Sequence, residues 1–190
     1  LGFGRPTKSA LVYTRPLVEG VNAWLGLNCS VHARGALLSV LPIVGVQHLE
    51  VERLVARYYG EGWPVGGATV SRPIGYVMPQ MKSTEWQFHR DRSMSEGVAG
   101  IVQAVADYGL PFMHSTVAPT RIVEHLRAGH GYYPDFRVPC ALIVSGHVAP
   151  ALSEARALLA KYSGIDQGYA EAATRFAEAL IAEHGEPAGS

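Results

Sequence analysis

Cysteine is scarce in this chain of 190 residues, and its two cysteines, Cys29 and Cys140, lie far apart within apolar runs. The sequence has no C-x-x-C pair, and no histidine stands near either cysteine at zinc-finger spacing. Because free cysteine is among the most buried residue types, we expect both side chains to be small buried hydrophobic groups. This interpretation is favoured over a disulfide or a reactive thiol.

The chain also lacks a long apolar run and a net charge. No stretch reaches the roughly 18 uninterrupted apolar residues that a membrane span needs, and the amino end has no basic-then-apolar leader pattern. Sixteen basic residues balance sixteen acidic ones, so the bulk charge favours neither nucleic acid nor an anionic membrane as a partner. We expect a cytoplasmic protein; since the chain starts at Leu1 without methionine, a leader or first helix can precede it.

Signature motifs of common catalytic sites are missing as well. The string His89-Arg90-Asp91 has the letters of a kinase catalytic loop, but Glu96 stands where that loop needs asparagine. The glycine pairs are followed by neither a phosphate-binding Lys-Ser nor a dinucleotide fingerprint, and Ser145-Gly146-His147 lacks the G-x-S-x-G elbow. These absences disfavour kinases and hydrolases, and we expect no cofactor.

The strongest local pattern is that of a helix from Ser93 to Tyr108. Ser93 and Glu96 have the spacing of a capping box, while Gly109 and Pro111 predict where the helix ends. Apolar residues recur between them at intervals of three and four, at Val98, Ile101, Val102, Val105 and Tyr108. We expect this stripe to face a core, with Ile101 and Val105 buried against a sheet.

Extended segments before this helix predict the sheet. Each is rich in β-forming residues and is bounded or interrupted by glycine or proline: Ala10 to Arg15, Val21 to Ala33, Ala36 to Val46, Ala68 to Met78 and Trp86 to His89. In the second segment the odd-numbered residues should face inward. An amphipathic helix is predicted from His48 to Tyr59. The pattern indicates an antiparallel sheet of about five strands, with one face covered by the helices at 48–59 and 93–108.

After Phe112 the pattern becomes helical. A short helix is predicted from Pro119 to Arg127, followed by three more from Asp135 to His147, Pro150 to Tyr162 and Gln167 to His184. The fold class is therefore α+β. We expect a sheet domain at residues 1–128, a helical annex at 135–184 packed on it, and a disordered tail at 185–190.

A resemblance to a known family rests on spaced residues over about positions 2–126. The features are Gly2-Phe3, a strand ending in Tyr13-Thr14-Arg15, the I-G-Y-V-M-P run at 74–79, Trp86, and a capped helix followed by Y-G-L-P-F. In these the chain resembles a bacterial family of small α+β proteins of unknown function. Similar small folds occur as immunity proteins beside toxin genes, and the resemblance implies no catalytic residues.

Aromatic and arginine residues on strands and loops form one candidate binding set. Tyrosine, tryptophan and arginine are enriched in interface hot spots, and the set comprises Trp63, Arg72, Tyr76, Arg90, Tyr132 and Tyr133. Trp63 lies in the loop segment EGWPVGG, whose glycines and proline exclude a regular element. It either folds back as a lid over the sheet or anchors a partner.

Histidines form the competing set. His114, His125 and His130 are the closest group, and two or three of them can be brought to one metal ion. No set of four ligands has usable spacing, so we expect no structural metal. The leading hypothesis is a non-enzymatic protein with an immunity-like or regulatory role that binds another protein. The alternative is a metal-dependent or small-ligand enzyme that uses these residues with His89.

Overall fold

The computed structural model describes residues 1–3, 11–64, 66–165 and 168–185, without the side chain of Arg34. Of the predicted tail at 185–190, residues 186–190 lie outside the described residues. The chain forms two compact units that do not follow chain order: residues 1–47 and 70–117 make a sheet unit, and 48–69 and 118–190 make a helical unit. The helices at 49–59 and 119–127 therefore group with the carboxyl-terminal helices, whereas the sequence pattern assigned them to the sheet domain.

The sheet unit contains the predicted antiparallel sheet of five strands. Its strands are β1 (Val12–Val18), β2 (Val21–His32), β3 (Leu37–His48), β4 (Val70–Pro73) and β5 (Trp86–His89). The strand order is β1-β2-β3-β4, and β5 pairs with β3. The carboxyl half of β3 carries β4, with Val46 opposite Val70, and its amino half carries β5, with Leu38 opposite Phe88. The α+β fold class is confirmed.

Two strands, β1 and β4, differ most from their predicted bounds, for reasons of local geometry. β1 continues through Pro16 to Val18, which an edge strand permits because an unpaired side needs no N–H donor; the register shifts between Pro16 and Val18. β4 is shorter than predicted, because after Pro73 the chain turns into a 3₁₀ helix at Ile74–Tyr76.

The odd-numbered side chains of β2 face inward only in its first half. Val21, Ala23 and Leu25 are buried, but Cys29 is exposed. The prediction of two buried cysteines is thus wrong for Cys29 and correct for Cys140. The two halves of β2 differ in burial because β1 pairs only with the first half. This pairing begins with Val12 opposite Gly26, so Cys29 lies beyond the start of β1.

The predicted central helix is present but neither begins nor ends as its signals indicate. α2 runs from Ser95 to Ala104, and its N-cap residue Met94 makes no side-chain cap. The Ser93–Glu96 capping box does not form, because the helix begins two residues after Ser93, whose hydroxyl accepts the N–H of Ser95 at 3.3 Å.

The helical path also continues past the predicted stop. A π turn at Val105–Gly109 leads into α3 (Leu110–Ser115). Gly109 has an ordinary helical φ of −65°. The wider π turn, in which Leu110 N–H bonds to the carbonyl of Val105, shifts the hydrogen bonding so that Pro111 falls in the first turn of α3, where no N–H is required. Of the predicted stripe only Val105 is buried.

The helical unit consists of α1 (Leu49–Tyr59), α4 (Pro119–Arg127), α5 (Pro134–Val144), α6 (Val148–Tyr162) and α7 (Gly168–His184). Each lies within a few residues of its predicted bounds. α1 packs on α5 and α7, and α4 to α7 pack in succession. The ring of Tyr58 stands edge-on to Phe176, and the Tyr58 hydroxyl is 2.9 Å from His184 Nε2. The apolar face of α1 is thus buried within this unit.

The cap of α1 gives a pH-dependent prediction. His48 Nδ1 accepts the N–H of Val51, and the backbone N–H of His48 donates to Thr69 Oγ1 at 2.9 Å. Burial lowers the pKa of His48, although the carboxylates of Glu50 and Glu52 oppose this shift. The folded state therefore binds fewer protons than the unfolded state, and stability is lost as the pH falls from about 6.5 through the lowered folded pKa.

We expect His48→Ser, which keeps a capping oxygen and removes the titration, to flatten this loss. Denaturant unfolding of both proteins between about pH 7 and pH 5 measures it. Equal pH dependence in the two proteins would show that His48 is not responsible.

Candidate functional site

Small residues on α2 set how this helix lies on the sheet. A Cβ atom at Gly97 would stand 2.6 Å from Phe88 Cε1, and one at Gly100 would stand 2.8 Å from Trp86 Nε1. These contacts bring α2 close to β5 through its glycine face. Around the helix axis Ile101 lies about 40° and Val98 about 100° from Gly97, on the side away from Gly100. Both therefore lie beside the glycine contact and line the groove next to it.

An apolar groove results between α2 and the sheet. One wall carries Met94, Val98, Ile101 and Val102, and the floor carries Leu25, Leu27, Leu38, Val40 and Phe88. Tyr13 of β1 and Leu11 just before this strand lie on the far side, where residues 1–3 also lie. The groove has a volume of about 550 Å³, which is in the range of ligand-binding clefts.

The large side chains of the α2 wall are exposed to solvent. Val98 is 50% exposed and Val102 is 47% exposed, and Met94 one turn earlier is exposed as well. Three large apolar residues at intervals of four form one line on the helix, and contiguous exposed apolar surface of this kind marks interaction sites. The floor residues Val40 and Phe88 are buried, so the groove has an ordered base beneath an open wall.

The groove offers few polar groups. Among the lining side chains that the structure describes, only Tyr13 and Cys29 carry a polar atom. Small-molecule sites usually contain several convergent polar groups that fix the ligand, and general acid–base or nucleophilic chemistry needs a titratable pair within hydrogen-bond reach. The composition of this groove suits apolar recognition.

The predicted aromatic and arginine residues are distributed over both units. In the sheet unit the guanidinium of Arg72 lies 5.9 Å from the centre of the Tyr76 ring, and Arg90 is exposed in the turn after β5. In the helical unit Tyr132 is 74% exposed, and Tyr133, with a left-handed φ of 53°, is also exposed. Their role in binding remains a prediction.

Trp63 folds back within the helical unit. Its side chain is 8% exposed and contacts the rings of Tyr59, Tyr133 and Phe136, with ring centroids 5.2, 5.5 and 6.0 Å away. Of the two predicted alternatives, folding back is the one observed. The surface that Trp63 covers is formed by α1 and the start of α5 in the helical unit, whereas the prediction placed it over the sheet.

A buried ion pair lies under Trp63. Arg137 donates from Nε to Glu52 Oε1 at 2.8 Å and from Nη2 to Oε2 at 3.0 Å, and these side chains are 3% and 13% exposed. Trp63 Nε1 and Thr69 Oγ1 also donate to Glu52, and Arg137 Nη1 donates to the carbonyl of Tyr132. Each donor and acceptor is used within the network, so it ties the loops at 60–69 and 128–133 to α1 and α5.

The predicted histidine set is only partly brought together. His125 Nδ1 and His130 Nδ1 are 3.1 Å apart, and His114 belongs to the other unit. Across the described ranges, no group of three or more histidine, cysteine, aspartate or glutamate side chains is placed to hold a metal ion. The histidines therefore lend no support to the enzyme hypothesis.

Comparison with protein-family models, with curated proteins and with solved structures finds no match to this chain. Among the described residues no helix combines the length and apolarity that crossing a bilayer requires.

The groove itself was not predicted. A signal for it exists in the sequence, because Gly97 and Gly100 place small residues on one side of α2 and leave the large apolar residues facing another direction.

Proposed function

We propose that this is a non-enzymatic binding protein that holds a segment of a partner protein in the apolar groove of its sheet unit. The observation that carries the proposal is the line of Met94, Val98 and Val102 on α2, exposed beside an ordered apolar floor. Leaving such side chains in water costs about 25 cal/mol per Å² of apolar surface, and a bound segment recovers that free energy.

A protein segment suits the groove better than a small metabolite. Sites for small molecules bury most of the ligand and orient it with convergent polar groups, whereas the described lining of this groove has an open wall and two polar side chains. Docking of a protein segment needs only apolar anchors at suitable spacing. An immunity-like or regulatory role, in which binding is itself the function, is part of this proposal.

Peptides selected from a displayed random library on the wild-type protein test the proposal. We expect the double substitution Val98→Glu and Val102→Glu to weaken binding of the selected peptides by at least about tenfold, because it introduces charges into an apolar contact that is desolvated on binding. Both side chains are about half exposed, so the fold should tolerate the change within about 1 kcal/mol.

The matched control is Val148→Glu, which changes a partly exposed valine at the start of α6 in the helical unit. It should leave the dissociation constants unchanged. Selected peptides that bind the groove double variant as tightly as the wild type would contradict the proposal, as would a loss of binding in the Val148→Glu control alone.

A further inference from the structure

The charges of the two units are unequal although the whole chain is neutral. The sheet unit contains eight lysines and arginines against five aspartates and glutamates, and the helical unit contains eight against eleven. All ion pairs between described residues lie in the helical unit. No described arginine or lysine side chain of the sheet unit has a carboxylate within 4.0 Å.

Two of these cations lie in the turn that leads from the groove floor to its α2 wall. Arg90 and Arg92 are exposed in the turn that joins Phe88 on the groove floor to Met94 on its wall. The turn is fixed by backbone hydrogen bonds from Arg90 N–H to the carbonyl of Ala36 and from Arg92 N–H to that of His89. The turn next to Phe88 and Met94 of the groove therefore carries two cations that have no ion pair within the described chain.

Acidic residues of the same segment do not neutralise this end. Asp91 lies between the two arginines and forms no ion pair with either. Glu96 lies two residues from Val98 on α2, which is about 200° around the helix and away from the groove wall. A carboxylate that approaches this turn therefore meets two arginines and one aspartate, a net charge of +1.

The groove geometry selects the conformation of the bound segment. Its lining residues lie on the sheet face and on α2, and a segment that lies on a sheet face gains no backbone pairing, which is offered only along a strand edge such as that of β1. The wall from Met94 to Val102 covers nine residues, whose eight steps of 1.5 Å span about 12 Å along the helix axis. This length matches apolar anchors at positions i, i+3 or i+4, and i+7 of a bound amphipathic helix, the helix-in-groove mode.

We infer that the partner segment is an acidic amphipathic helix. Its apolar face lies in the groove, and carboxylates on its polar face contact Arg90 and Arg92. This inference rests on the proposed function above and adds the conformation and the charge of the partner. The charges contribute mainly selectivity and association rate, since exposed charge pairs add little affinity each.

Two synthetic peptides of equal length test the inference. Both carry leucines at i, i+3 and i+7 on a helical scaffold, and their polar faces carry glutamate in one and lysine in the other. Fluorescence anisotropy in low salt should show the glutamate peptide binding about threefold to tenfold more tightly, a preference that shrinks in high salt. Replacing both arginines, by Arg90→Gln with Arg92→Gln, should remove the preference.

The matched control is the pair Arg156→Gln and Arg175→Gln, two exposed arginines of the helical unit. It should leave the preference unchanged. Equal binding of the two peptides, or tighter binding of the lysine peptide, would overturn the inference while leaving the proposed function in place, provided that the Val98→Glu and Val102→Glu variant binds neither. If neither peptide binds at concentrations up to about 1 mM, any dissociation constant is weaker than that of a low-affinity complex. This result would contradict both proposals.

Light scattering on the protein alone tests whether a second copy of this chain fills the groove. A monomer is expected. A dimer that dissociates on Val98→Glu substitution would show that a second copy of this chain fills the groove, and would overturn the inference of an acidic partner helix.

Discussion

Replacement of Arg137 by alanine is expected to lower the free energy of unfolding by about 3 to 5 kcal/mol, because it leaves the Glu52 carboxylate buried without its counter-charge. Glu52 is 13% exposed and receives two hydrogen bonds from Arg137. Its remaining donors, Trp63 Nε1 and Thr69 Oγ1, are neutral. The substitution also removes the donor to the Tyr132 carbonyl. Urea or guanidinium unfolding measures the loss.

An exposed ion pair of the same helical unit supplies the control. Arg127 pairs with Glu154 at 2.5 Å, and both side chains are well exposed. Arg127→Ala should cost no more than about 1 kcal/mol, the range of solvent-exposed pairs. Similar losses for Arg127→Ala and Arg137→Ala would show that burial does not make the Glu52–Arg137 pair special.

Trp63→Ala is expected to destabilise the protein by about 3 to 5 kcal/mol, the usual range for truncating a buried aromatic residue. The indole ring contacts three aromatic rings, and its N–H donates to Glu52. Its centroid lies 5.1 Å from the guanidinium carbon of Arg137. Truncation leaves a cavity beside the buried ion pair and opens this pair to water. Thermal and denaturant unfolding measure the effect.

Two further variants separate the components of the Trp63 effect. Trp63→Phe keeps a six-membered aromatic ring but removes the N–H donor and the rest of the indole, so its cost should lie between that of one hydrogen bond, about 0.5 to 1.5 kcal/mol, and that of Trp63→Ala. Tyr132→Ala changes an exposed aromatic side chain of the neighbouring loop and should stay within about 0.5 kcal/mol. If Trp63→Ala leaves stability unchanged while weakening peptide binding, Trp63 anchors a partner and its packed position is not the functional one.

The local patterns of the sequence predict much of the secondary structure. β5 and α4 have their predicted bounds, and α1 differs by one residue. These elements have strong periodicity and nearby breakers, so local propensity and packing agree. The end of α2 could not be predicted, because Gly109 and Pro111 usually end a helix and the π turn that accommodates them depends on packing against the sheet: a Cβ at Gly109 would lie 3.0 Å from Val44 Cγ1.

The buried ion pair is harder to predict, because its partners are 85 residues apart and periodicity carries no information on such contacts. A weak signal exists at each end. Arg137 interrupts an apolar run, from Phe136 to Val144, and a charge in such a run is seldom buried without a partner. Glu52 lies three residues before Val55 on α1, on the flank of its buried face. Each signal indicates a buried charge without identifying the partner.

The groove depends on an orientation that no single segment encodes. The sequence indicates that Val98, Ile101 and Val102 belong to one helix face, and periodicity predicts that such a face is covered. Which surface covers it is decided by the approach of Gly97 to Phe88 and Gly100 to Trp86, both of which require the sheet to be in place. The predicted apolar stripe is therefore present on α2 but only partly buried. This incomplete burial is the feature on which the proposed function rests.

Methyl NMR during titration with the glutamate-faced peptide tests the central claim most directly. We predict shifts in the methyl signals of Leu25, Leu38, Val98 and Val102, which line the groove, with Leu158 of α6 as an unperturbed reference in the helical unit. Shifts confined to the helical unit, or around the exposed tyrosines at 132 and 133, with the groove methyls unchanged at saturation, would contradict the assignment of the groove as the binding site.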